Sequence, residues 1–85
     1  MKIEIDVPDY SPEHGLHMEW EDGFIISARA DGDTVVITAN REGLVSLARL
    51  LLKLADERVP SGHHWHLDAS NALEDGSIEV IVEKH

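Results

Sequence analysis

NREGLVSLARLLLKLADE, residues 40–57, is the stretch whose periodicity decides the fold class. At 3.6 residues per turn, Leu44, Leu47, Ala48, Leu51, Leu52 and Ala55 fall on one apolar face, which Val45, Leu50 and Leu54 widen. That arc predicts a helix buried against a concave partner. The remaining strip, made of Glu42, Ser46, Arg49, Lys53, Asp56 and Glu57, is expected to lie in water. Asn40 stands where an N-cap belongs, and Glu42 sits at the positive end of the helix dipole. Gly43 costs about 1 kcal/mol relative to Ala, so cap and packing must hold the first turn. Pro60 closes the helix, because a proline disfavours helical geometry at the residue before it.

Around this helix the chain alternates with the period of strands. Ile3, Ile5 and Val7 oppose Lys2, Glu4 and Asp6, and Leu16, Met18 and Trp20 oppose His17, Glu19 and Glu21. Between them, PDYSPEHG reads as a loop. Phe24, Ile26 and Ala28 continue the inner side after an Asp22-Gly23 turn, and the β-branched run TVVITA, residues 34–39, follows Asp31-Gly32-Asp33. Beyond the helix, His63, Trp65 and Leu67 alternate with His64, His66 and Asp68, and Ile78, Val80 and Val82 alternate with Glu79, Ile81 and Glu83. The expected order is β-β-β-β-α-β-β over a single domain, residues 1–85. This is an α+β two-layer sandwich, with a mostly antiparallel sheet of about six strands and one helix. Both Trp20 and Trp65 are expected in its core.

Charge narrows the kind of partner. Seventeen acidic residues against seven basic ones give a formal charge of −10, and between Glu4 and Asp33 nine carboxylates face Arg29 alone. A surface this negative repels phosphates, which argues against nucleic acid, whereas a basic protein would be steered toward it. The absence of Cys removes disulfide and thiol chemistry. No apolar run approaches the ~18 residues of a membrane span, and the opening MKIEIDVPDY is too acidic and too alternating for a signal peptide. The expectation is a cytoplasmic protein without a membrane partner.

Residues two apart on a strand share a face, so His64, His66 and Asp68 would line up, and Glu79 or Glu83 could complete a metal site. Solvent-facing histidines paired with nearby carboxylates would show the same spacing. Nothing else suggests a cofactor. His14, His17, Ser61 and Ser77 lack the oriented partners that nucleophilic catalysis requires, and no phosphate-binding, dinucleotide-binding or metalloprotease motif occurs. No enzyme activity is expected. The side of the sheet away from the helix would instead display Glu4, Asp6, Glu19, His64, His66, Asp68, Glu79 and Glu83, interrupted by Ile25, Val36 and Ile81. A face of that kind suits a protein partner, with the loop of residues 69–76 as a possible extension. The wide helical arc or a free sheet edge could alternatively serve a homodimer in place of a monomer.

From the helix onward the chain carries Asn40-Arg41-Glu42-Gly43-Leu44, a leucine-rich helix and a Val59-Pro60-x-Gly62 exit. His66-Leu67-Asp68, Asn71, Leu73, Gly76-Ser77 and a last strand ending in Glu83-Lys84 follow. Over residues 40–84 this pattern resembles the immunity protein 32 family of bacterial polymorphic-toxin systems. The resemblance implies an antidote that sits on a cognate toxin domain and blocks it until delivery elsewhere. It supplies no catalytic residues. Together with the acidic balance, it implies a basic toxin as partner.

Overall fold

A computed structural model describes residues 1–85 in the order β1 (Ile26–Asp31), β2 (Thr34–Ala39), α1 (Arg41–Ala55), β3 (His64–Leu67) and β4 (Val80–Glu83). The α+β class and the single helix agree with the sequence pattern. A single sheet of about six strands does not. Four strands form two separate antiparallel hairpins, β1 with β2 and β3 with β4. The chain between β3 and β4 joins them along the outer edge of β1, where Glu74 N donates to Ile26 O at 2.8 Å and Ile78 N to Ala28 O at 3.0 Å. Ser77 Oγ accepts from Ala28 N at 3.1 Å, so this edge is satisfied partly by a side chain.

Asn40 is the N-cap of α1, accepting from Gly43 N at 2.8 Å. Its amide also ties the helix to the segment before β1, accepting from Ile25 N at 3.0 Å and donating to Gly23 O at 2.9 Å. Gly43 has a packing reason. A Cβ there would stand 2.5 Å from Ile25 O and 3.1 Å from the Ala39 Cβ, so only glycine lets the first turn settle onto the base of the β1–β2 hairpin. The core then collects Ile26, Ala28, Leu50, Leu54, Val59, Trp65, Leu67, Ala72 and Leu73. Trp65 is buried as expected, and its Nε1–H donates to Leu50 O at 2.6 Å. Trp20 is half-buried, stacked on Phe24 with ring centroids 4.6 Å apart.

Two expectations are overturned together. Residues 2–7 and 16–21 form no strands; the one ladder contact near them is an isolated bridge between Ser11 and Gly15. They run instead as an extended strap over α1. Polar side chains of the helix hold it there, the same ones expected in water. Ser46 is fully buried and accepts from Glu21 N at 2.9 Å while donating to Glu42 O at 2.8 Å. Lys53, only 6% exposed, donates to His17 O at 2.7 Å and to Glu19 Oε1 at 2.9 Å. Arg49 Nε donates to Asp6 O at 3.2 Å, and Asp56 Oδ2 accepts from Tyr10 N at 3.3 Å. Ser46, Arg49, Lys53 and Asp56 follow one another at spacings of three and four along one helical face, a row of donors and acceptors for a chain that has no ladder partner. Part of the apolar arc faces outward in exchange, and Leu44, Leu51 and Leu52 expose about half their surface.

Candidate partner-binding surface

The β3–β4 hairpin sorts its side chains by alternation. Trp65 and Leu67 are buried and Val80 and Val82 half-buried on one side. His64 lies opposite Glu83 and His66 opposite Ile81 on the other, all four exposed. His66 Nε2 approaches Glu79 Oε2 at 3.5 Å and Asp68 Oδ2 at 3.7 Å. Asp68, Glu79 and Glu83 therefore surround an exposed Ile81 and two imidazoles. The loop that continues this face is pinned in place. Ser70 donates through N and Oγ to Asp68 Oδ1 at 2.9 and 2.6 Å, and the Ser70 hydroxyl, foremost among these contacts, holds the Asp68 carboxyl below its usual range. Asn71 accepts from Asp68 N at 2.9 Å and donates to His66 O at 2.7 Å, and Ala72 and Leu73 beyond it are buried.

The eight residues expected on one acidic face divide into two groups. His64, His66, Asp68, Glu79 and Glu83 come together on the hairpin. Glu4, Asp6 and Glu19 belong to the strap against the helix. Glu19 is already engaged, since the hydrogen bond from Lys53 lowers its carboxyl below the ordinary value. Of the three apolar residues expected outside, Ile25 and Ile81 are exposed and Val36 is half-buried. The metal alternative gains no support in the geometry. His64 Nδ1 lies 3.4 Å from Gly62 O, and no group of three or more His, Asp or Glu side chains is arranged to hold an ion.

The strap contacts escaped sequence reasoning, although a serine, an arginine and a lysine recurring on one side of a leucine-rich helix were the available signal. A second cluster closes the helix end. Asp56 takes a bidentate pair from Arg58, Nε to Oδ1 at 3.0 Å and a terminal nitrogen to Oδ2 at 2.8 Å, and this pairing drives its carboxyl well below the usual range. Lys84 reaches Asp56 O at 2.6 Å, which ties the end of the chain to the end of the helix.

Fold and surface define a small α+β protein that presents an acidic hairpin. Comparison with known families adds the particular group. The chain belongs to the immunity protein 32 family, whose model matches residues 34–85, from β2 to the last residue. No curated protein and no solved structure matches the chain.

Proposed function

We propose that this protein is a non-catalytic inhibitor that neutralises a basic toxin domain by covering it with the outer face of the β3–β4 hairpin. Family membership carries the reading, because the matched residues 34–85 contain that hairpin and its loop entire. The hairpin has the anatomy of a contact surface, with Ile81 at its centre and Asp68, Glu79 and Glu83 on its rim. Rim charges raise the rate of encounter with an oppositely charged partner, and the net charge of −10 adds to that field. The hydrogen bonds of residues 68–71 fix the loop beforehand, so little conformational entropy is lost on docking. Glu4 and Asp6 contribute to steering from the strap, and the protein acts in the cytoplasm of the bacterium that makes the toxin.

The test is capture of the protein encoded beside this one, repeated at rising ionic strength. Binding that weakens as salt screens the rim supports the reading. Failure to bind, or binding indifferent to salt, contradicts it.

A further inference from the structure

Two of the six histidines stand among the carboxylates of the outer β3–β4 face. His66 projects between two of them, its Nε2 3.5 Å from Glu79 Oε2 and 3.7 Å from Asp68 Oδ2. At those distances a neutral ring makes at best a long hydrogen bond, whereas an imidazolium is attracted to both carboxylates. His64 is the cross-strand neighbour of Glu83. No base competes for these groups. Lys84, next after β4, carries its ammonium to Asp56 O at 2.6 Å, and His63 turns edge-on to Tyr10. Glu74 and Asp75, exposed in the loop that continues the face, add only acid. The His66 side chain is 45% exposed, so a proton reaches it from solvent.

We infer that His64 and His66 make the partner-binding face pH-sensitive, protonation of the two rings weakening its hold on a basic toxin domain. This rests on the reading of that face as the place where the toxin docks. Histidine ordinarily changes charge between about pH 7.5 and 5.5. Above that interval the face offers three negative charges, from Asp68, Glu79 and Glu83, and with both rings protonated the sum falls to one. The loss strikes particular groups. An imidazolium at His66 is drawn to Asp68 and Glu79 together, which then meet an internal cation in place of the toxin's lysines and arginines. His64 offers Glu83 the same across the ladder. The fold stays closed meanwhile, because the Glu19 and Asp56 carboxyls that hold the strap are lowered from 4.5 and 3.8 and titrate beneath this interval. Coupling of this kind is reciprocal, so a toxin that prefers the uncharged rings must expel protons from them on docking.

The test is the dissociation constant of the toxin domain encoded beside this protein, measured at about pH 7.5 and about pH 5.5 for wild type and for His64→Asn/His66→Asn. In each form the quantity read is the ratio of the two constants, whatever its affinity at the higher pH. Wild type should bind about three- to tenfold more weakly at the lower pH, and the Asn pair should bring that ratio to within about twofold of unity. His64→Lys/His66→Lys, charged at both values, should bind at the higher pH about as weakly as wild type does at the lower, and its ratio should be as flat. Calorimetry near the midpoint, about pH 6.5, in two buffers of different ionisation heat should show protons released on docking by wild type and not by the Asn pair. Failure to bind at the higher pH contradicts the docking reading and the inference with it. Binding that is equally tight at both values, or a ratio that the Asn pair leaves unchanged, overturns the inference alone.

Discussion

From Ile26 to Leu73 the chain supplies all nine buried apolar side chains, whereas residues 1–25 supply none and reach the core only through half-buried Tyr10, Leu16, Met18, Trp20 and Phe24. The body is held by burial and by two ladders. The strap is held by side chains, since Ser46, Arg49, Lys53 and Asp56 each meet a backbone group of residues 6–21. Hydrogen bonds to side chains yield about 0.5–1.5 kcal/mol each, less than burying a large apolar residue. The difference teaches where the molecule should open first. Segments with few buried contacts detach below the global unfolding free energy. Each region carries one tryptophan, Trp20 in the strap and Trp65 in the body, so the two are separable by fluorescence.

The comparison breaks most easily at Leu50, which is 1% exposed beneath Trp65. Leu50→Ala should cost about 2–5 kcal/mol and move both tryptophan signals in one transition. Replacing Lys53 by Met should cost roughly 1–3 kcal/mol, because His17 O and Glu19 lose their buried donor. Here the Trp20 signal, followed in a Trp65→Phe background, should change at lower denaturant than the Trp65 signal in a Trp20→Phe background. Coincident transitions in the Lys53 variant would erase the distinction between strap and body.

Gly43→Ala sharpens the comparison from the other side. Helix propensity alone favours alanine by about 1 kcal/mol, yet the added Cβ would sit 2.5 Å from a backbone oxygen of the segment entering β1. Net destabilisation of about 1–2 kcal/mol is expected, read as a lower denaturant midpoint, and a raised midpoint would refute the packing argument.

Acid produces the smallest of these effects. The Glu19 carboxyl sits below its ordinary value of 4.5 because Lys53 hydrogen-bonds it. A carboxyl held low in the folded state binds its proton more readily when unfolded, so its contribution is complete above pH 4.5 and disappears as pH falls through the folded value. Asp56, lowered from 3.8 by Arg58, contributes with the same sign at lower pH. The Trp20 signal should therefore loosen as the solution is acidified below about pH 4.5, and Glu19→Gln should flatten that dependence. An identical acid profile in wild type and Glu19→Gln would remove Glu19 from the clamp.

The helix, its Asn40 cap and the alternation of all four strands were legible in the sequence because each rests on local signals, a 3.6 period, a capping amide and a period of two, whereas the pairing of β3 with β4 across the connection between them was not. The strap was not, and Leu16, Met18 and Trp20 show why. Their alternation reports an extended chain with one side covered, but a helix can provide that cover as well as a neighbouring strand. Lys53 was misplaced for the complementary reason. Helical periodicity sorts residues by polarity, and the extended backbone opposite needed polar partners that no ladder supplied. The candidate surface followed the same division. His64, His66 and Glu83 share a face because they lie on paired strands, whereas Glu4, Asp6 and Glu19 were grouped with them only through a sheet that does not exist.

A basic partner engaging the β3–β4 face is the claim most directly open to measurement, through the dissociation constant of the neighbouring toxin domain with three forms of this protein. Wild type is compared with Glu79→Lys/Glu83→Lys, which reverses the hairpin rim, and with Lys53→Met, which loosens the strap. The rim variant should bind at least about tenfold more weakly while the strap variant stays within about twofold of wild type. Undiminished affinity in the rim variant, with loss in the strap variant, would contradict the account.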